Sequence, residues 1–366
     1  MENYPQFKAG TVFNELVYAK LKKSELIKNS VTIRFPTRLN AMVLDATRLI
    51  PNDLKVFPAG GVFISIAKPI NVKTEFLGDY DGQLVIGGST KRKALVNHAY
   101  QIMCKVLDKY PSLSIEVNDN GIIKHCGFGS SGAILGGVCS SINELFGNPL
   151  RKRDLLRYIA GNYGEEIIDD DKDNLQLVQA IGGSLSTGLI RGGIQVLVGN
   201  ATPIMICSWN GEVVLAVPKD YVSKSAKELI ESERKSIYEN SETQVVTFLD
   251  RLSIHEDAYN MLHDGLPGLA NGDISAVSDL VFDWRFNKGG ISVGTCFYPG
   301  VNDIADNVRH LYENKNCAQL GMSSLGPLFY ALVNNKKDRN ICAETFNNQN
   351  METESVPVCN GRYVAF

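Results

Sequence analysis

The sequence predicts an α+β fold of one large or two modest domains, and three observations carry that prediction. The chain has 366 residues, 44% of them hydrophobic and 21% charged, which is enough apolar material for a substantial core. Segments of alternating apolar and polar residues give way to segments with helical periodicity, in the order strand, helix, strand, and then a glycine- and serine-rich stretch opening onto another helix. No internal repeat or low-complexity linker divides the chain, so its two halves are expected to pack closely.

Taken in order, "SVTIRFPTRLNAMVLD" (30–45) alternates with β-branched residues and predicts strands bent near Pro36. "FPAGGVFISIAKPINVKTEFLG" (57–78) predicts a glycine-initiated strand followed by another. "KRKALVNHAYQIMCKVLDKY" (91–110) predicts a helix, and "SLSIEVND" (112–119) a strand. "SGAILGGVCSSINELFG" (131–147) reads as a helix stopped by Gly147, and "LRKRDLLRYIAGNY" (150–163) as a second. The acidic run "GEEIIDDDKDN" (164–174) predicts an exposed loop or helix start; cation binding is the alternative. "IGGSLSTGLIRGGIQVLVGN" (181–200) is turn-rich and leads to strands, and "PIMICSW" and "EVVLAVP" suggest a hairpin about Asn210 and Gly211. Two helices are expected over 225–239 and about 243–285, another after "GISVGTCFYPG" (290–300), and a polar tail, partly disordered, over 336–366.

Composition removes several function classes. With 37 Lys and Arg against 40 Asp and Glu, the net charge of −3 gives no basic field for nucleic acid or anionic lipid, so an anion must be gripped locally. "MENYPQFKAGTVFNELVYAKLKK" carries an early acid and no continuous apolar core, unlike a secretory signal, and no apolar run reaches the length of a membrane span; a cytoplasmic location is expected. The eight cysteines form no C-x-x-C pair and read as reduced, mostly buried thiols. Of the five histidines, only His125 lies near the glycine stretch.

That stretch, "CGFGSSGAILGGVCSS" (126–141), is the main functional signal. A helix start presents unpaired N–H groups and partial positive charge, and glycines there let a phosphate lie on the amides. Gly127, Gly129, Ser130, Ser131 and Gly132 offer that geometry. The Walker pattern is absent, since no Gly-Lys-Ser/Thr follows, and so is the acidic ribose partner of a Rossmann site. Tight helix–sheet packing through small residues is the competing explanation.

"GFGSSGAILGGVCSSINELFG" (127–147) resembles the phosphate loop and following helix of the GHMP superfamily of small-molecule kinases. "FPTRLNAMVLD" (35–45) stands where that superfamily has its first motif, and "GMSSLGPLFYAL" (321–332) resembles the third. The runs "TRLNAMVLD … GGVFISI", "GLIRGGIQVLVGN", "LPGLANGDISAV" and "GMSSLGPLFYAL" are together similar to β-ribofuranosylaminobenzene 5'-phosphate synthases and related C-nucleoside synthases, in order from about 30 to 335. The resemblance implies a GHMP-kinase-like two-domain fold, with residues 1–200 and 201–335 as its domains and the site between them. It further implies transfer from phosphoribosyl pyrophosphate (PRPP) to a carbon of an aromatic or heteroaromatic acid, with release of carbon dioxide and pyrophosphate.

On that resemblance, Arg38 and Ser130 are the candidate catalytic residues, and Gly127, Gly129, Ser130, Ser131, Gly132, Ser323, Ser324 and Gly326 are expected to bind PRPP. Asn40 and Arg191 are assigned to the aromatic substrate, Mg²⁺ is the expected cofactor with its ligands open, and a homodimer is an option. Two departures stand out: "AIGGSLSTGLIRGG" (180–193) has Arg191 as its one cation where the family commonly has an arginine-rich segment, and "FPAGG" (57–61) lacks the usual aspartate. Residues 174–211 also contain no Asp or Glu, so the general base that GHMP kinases place after the central Ser-Gly is missing and Leu189 follows Gly188 instead. An ATP-dependent small-molecule kinase and a non-catalytic nucleotide-sensing module are the rivals.

Overall fold

A computed structural model describes residues 6–16, 21–45, 59–79, 82–119, 121–178, 180–225, 228–229 and 254–366. Its centre is a long antiparallel ladder between β2 (Ser30–Val43) and β3 (Gly61–Gly78). The bend expected at Pro36 is a bulge between Phe35 and Thr37, where a residue without an N–H donor breaks no ladder bond. Residues 61–78, expected as two strands, form one; its far end pairs with β5 (Ser112–Asn118) and its near end with β8 (Ile194–Val198).

The main sheet runs β14 (Val364–Ala365), β2, β3, β5, β4 (Leu84–Gly88), with β9 (Thr202–Cys207) joined outside β8. β4 and β5 are parallel and are connected through α1 (Lys93–Leu107), the crossover such a pair requires. Against this sheet lies α2 (Ser130–Leu145), flanked by α1, α3 (Lys152–Gly161) and α4 (Gly183–Leu189). Some of the small residues of α2 serve packing alone: a Cβ on Gly136 would stand 2.5 Å from the Phe35 ring, and one on Gly137 2.8 Å from Val72. A small third sheet orders β1 (Gln6–Lys8), β7 (Asn174–Leu177) and β6 (Gly164–Glu166).

A second antiparallel sheet, β11 (Gln319–Met322), β12 (Phe329–Val333), β10 (Glu212–Pro218) and β13 (Met351–Pro357), has its own core around Phe329, Ala331 and Phe346. The helices of this half are α5 (Ile254–Asn260), α6 (Leu266–Ala270), which packs on β9 of the main sheet, α7 (Ser275–Phe282), α8 (Val301–Val308), α9 (His310–Glu313) and α10 (Lys336–Asn348). No helix among the described residues is long and apolar enough to cross a membrane.

Four expectations are corrected. The hairpin about Asn210 and Gly211 does not form: β9 pairs with β8 and β10 with β12 and β13, so the turn crosses between sheets. "GMSSLGPLFYAL", expected to be a second small-residue loop before a helix, is a strand, loop and strand. Residues 336–366 are not a disordered tail: α10 is capped by the Asn335 side chain, and β13 pairs with β10 along its whole length. Their polarity reflects exposure on one face only, since Cys342, Phe346 and Met351 are fully buried. The acidic run begins as β6 and buries Glu166, as described below. The helix expected over 225–239 and the start of the one over 243–285 lie largely outside the described residues.

Candidate functional site

The glycine stretch builds a helix start open to a cleft. Gly129 caps α2 with φ 65°, a left-handed conformation natural to glycine, and no side chain caps the first-turn amides. An added Cβ there would lie 2.4 Å from the Ser184 hydroxyl and 2.9 Å from the Arg38 guanidinium. Arg38 donates from Nη1 to the Gly127 carbonyl at 3.0 Å, and its Nε is buried without a hydrogen bond. Burial lowers the Arg38 pKa to about 10, a cation poorly solvated and in want of an anion.

The opposite wall is the loop joining β11 and β12. Gly326 lies so close that a Cβ would stand 2.2 Å from the Cys126 carbonyl oxygen. Ser323 is fully buried; it donates to the Gly127 carbonyl at 2.6 Å and accepts from the Asn40 N–H at 2.9 Å, tying the two loops to β2. Arg285, 1% exposed, donates to the carbonyls of Asn40, Ala41 and Ser324 at 2.9, 2.8 and 2.9 Å. Burial lowers its pKa to about 9, yet three backbone acceptors hold the charge in place.

Behind the α2 start sits a group that the sequence did not reveal. Arg92, 4% exposed, donates to the Ser130 hydroxyl at 2.7 Å, to the Ser131 hydroxyl, and to the carboxylates of Glu165 at 3.1 Å and Glu166 at 2.7 Å. Burial alone would raise Glu166, but Arg92 and His125 outweigh it and hold that carboxyl well below the usual range. Glu165 goes the other way: burial and then the Glu166 charge hold its pKa above the ordinary value. Tyr163 donates to Glu165 at 2.6 Å, and ligand atoms of His125, Glu165 and Glu166 lie within 4.8 Å of one another. One signal did exist in the sequence. Three consecutive cations, Lys91, Arg92 and Lys93, stand at the start of α1, where the helix dipole disfavours them, so one of them needs a carboxylate from elsewhere.

The opposite shifts give opposite pH effects. Glu165, raised when folded, makes stability fall as pH climbs from the ordinary Glu value, about 4.3, through its folded value. Glu166, depressed, contributes stability that is present above that ordinary value and lost as pH falls toward its folded one. Glu165→Gln should therefore gain on the parent protein as pH rises from about 4.3, in thermal midpoints compared across the acid-to-neutral range. A difference independent of pH would remove Glu165 from this role.

Of the residues assigned from the sequence, Arg38, Asn40, Gly127, Gly129, Ser130, Ser131, Gly132, Ser324 and Gly326 all line one cleft of about 330 Å³, together with His125, Tyr163, Glu165 and Ser184. Ser323 stands behind it as a strut. Arg191 is not brought in: it lies beyond α4, exposed, donating to the Ser208 hydroxyl at 2.8 Å. Apolar walls complete the cleft, among them Phe63, Trp284, Phe297 and Leu325.

Residues 94–171 match the model of the GHMP kinases N terminal domain, which takes in α1, the glycine stretch and β6. No curated protein sequence matches the chain. Among solved structures, a homoserine kinase from Cytophaga hutchinsonii superposes with a TM-score of 0.63 at 15% identity, over 93% of this chain and 98% of that one. Mevalonate diphosphate decarboxylase from Staphylococcus aureus gives a TM-score of 0.63 at 15% identity, over 92% and 98%. MDDEF in complex with MVAPP, AMPPCP and magnesium gives 0.61 at 13% identity, over 92% and 98%. The small-residue loops that meet at the cleft, the order of sheets and helices around them, and these likenesses together give the chain a GHMP-kinase-like fold.

Proposed function

We propose that the protein is a PRPP-dependent C-ribosyltransferase that joins ribose 5-phosphate to an aromatic or heteroaromatic carboxylic acid. The observation that carries this reading is a cleft with a phosphate-type helix start and a poorly solvated Arg38, but no carboxylate from α4, where Leu189 is buried in the core. In such a reaction the ring carbon bearing the carboxylate attacks C1 of the ribose, and the C1–O bond to pyrophosphate breaks. The bond to the carboxyl carbon then gives its electron pair back to the ring as carbon dioxide leaves. No side chain needs to take a proton from a hydroxyl; the demand is for charge stabilisation on pyrophosphate. The amides of residues 127–132, the Ser130 hydroxyl and Arg38 meet that demand, with Ser324 and Gly326 closing the far side. The mevalonate diphosphate decarboxylases that share the fold make loss of carbon dioxide compatible with it.

Mg²⁺ prefers oxygen ligands and tolerates few from the protein. Glu165 fits it: its carboxylate lines the cleft with the Ser131 hydroxyl next to it, and burial and the Glu166 charge raise its pKa, so an added cation would relieve both. Bound there, the ion would neutralise charge on the leaving pyrophosphate.

One observation favours a second reading. Glu165, in the cleft and above the ordinary carboxylate value, is suited to accept a proton from a hydroxyl, which makes an ATP-dependent small-molecule kinase the alternative. The two part cleanly in one assay. With Mg²⁺, PRPP and a panel of aromatic amino and hydroxy acids, pyrophosphate and carbon dioxide should appear in equal amounts. ADP formation from ATP on addition of a small alcohol, without pyrophosphate from PRPP, would replace the transferase with the kinase.

Arg38→Lys keeps the charge but loses both the unpartnered Nε and the fork that holds Gly127. PRPP affinity should fall about tenfold or more, which is about 1.4 kcal/mol in calorimetry. Equal affinities would reduce Arg38 to a strut for the loop.

A further inference from the structure

We infer that Arg285 is a positioning residue of the cleft: from the C-terminal half it holds both the β2 segment that carries Arg38 and the wall loop at Ser324, with a charge that a bound anion balances. The inference rests on the cleft taking an anion, as in the reading above, and not on the transfer step. Arg285 stands in the π-helical turn Asp283–Asn287 that continues α7. It is 1% exposed and lines the cleft, with its guanidinium carbon 4.5 Å from the centre of the Trp284 ring.

Its three hydrogen bonds go to places where the backbone is irregular. Asn40 pairs with Phe63 and Met42 with Val62, so Ala41 is the extra residue of a bulge in β2. The carbonyls of Asn40 and Ala41 both accept from Arg285, at 2.9 and 2.8 Å. Its third acceptor, at 2.9 Å, is the carbonyl of Ser324, whose φ of 58° is a left-handed conformation costly to any residue but glycine. Such a conformation persists where its surroundings hold it. The Ser324 N–H in turn donates to the Asn40 carbonyl at 2.9 Å, and the Arg38 N–H, two residues earlier on β2, donates to the Phe128 carbonyl at 3.1 Å. One side chain thus fixes the strand that presents Arg38 and the wall that faces it.

The charge is a second observation. Among the described residues no carboxylate pairs with Arg285, and Arg38 adds to the burial that lowers its pKa, so two cations press on each other in one cleft. A buried charge without a counter-ion is costly, and a neutral amide could serve the carbonyls without that cost. A guanidinium at this place suits a cleft that receives negative charge.

Inorganic pyrophosphate is the probe, titrated calorimetrically into the full chain below the melting midpoint of every variant. Arg285→Lys keeps the charge and loses the fork, whereas Arg285→Gln keeps a planar donor and loses the charge. Pyrophosphate should bind Arg285→Lys about tenfold or more weaker than the parent, and Arg285→Gln weaker still. A residue that served folding alone would lower the melting midpoint and leave the affinity of the folded protein unchanged. Action through Arg38 is read in a double-mutant cycle: in an Arg38→Met background, replacing Arg285 should cost at least about threefold less affinity than it does in the parent. Where Arg285→Lys does not fold, Arg285→Gln takes its place in the cycle. Losses that simply add, or unchanged affinity in either folded variant, overturn the assignment, and so does a parent protein that binds no pyrophosphate. If PRPP yields no pyrophosphate with any acid while pyrophosphate affinity follows Arg285, the transferase reading falls and this one stands.

Discussion

Arg92→Met should be the most damaging single substitution in the molecule, lowering unfolding free energy by about 3–5 kcal/mol, the range for breaking a buried ion pair by removing one partner. The reason is what remains. Glu166, 2% exposed, and Glu165 would face each other without their shared cation, and the Ser130 and Ser131 hydroxyls would lose their donor. The start of α2 would loosen with them, so phosphate-ligand affinity should fall as well. Urea unfolding followed by circular dichroism reads the first effect. Adding Glu165→Gln and Glu166→Gln to the variant should recover part of the loss, because the uncompensated charges would be gone. A loss below about 1 kcal/mol would mean that solvent reaches the carboxylates and that the cluster behaves as a surface pair.

The second large effect is expected at Gly326→Ala. Its added methyl would stand 2.2 Å from the Cys126 carbonyl oxygen, 2.3 Å from that carbonyl carbon and 2.8 Å from the Gly127 amide nitrogen. These are backbone atoms and no rotamer can move them aside, so the two loops must separate. Overpacking of this kind costs about 1–3 kcal/mol, and the parting of the loops should weaken PRPP binding well beyond that stability loss. Gly361→Ala is the matched control, since a Cβ there meets nothing within 4 Å. Should Gly326→Ala bind PRPP as tightly as the parent, the loops do not clamp the ligand between them.

Much of the first half of the fold could be read directly. α1, α3 and β5 follow from periodicity, because each sets its apolar residues at a regular spacing on the buried side, whereas α2 is buried nearly all round and is marked by its apolar run and small residues. The glycine-rich helix start was legible too, since Gly127 and Gly129 take left-handed backbone just before α2, while Gly136 and Gly137 serve packing on Phe35 and Val72.

The misreadings have a common cause, which is that partners distant in sequence decide them. "GEEIIDDDKDN" looks solvated because its composition is charged; Glu166 is buried only because Arg92, 74 residues earlier, arrives beside it. An Asn-Gly pair signals a hairpin, yet β9 and β10 found better ladders in separate sheets. Residues 336–366 are polar on average, but β13 pairs with β10 along its whole length while burying only Met351 and Val356. By itself, then, the sequence determined most helices and strands of the first half and the glycine-rich start of α2, since dihedral preference and hydrophobic period are local quantities. Only the tertiary structure decided that Asn40 is clamped between Ser323 and Arg285 while Arg191 stands outside, and that Arg92 neutralises two carboxylates behind the loop. Burial and charge pairing are properties of neighbours in space, and the chain's order does not specify who those neighbours are.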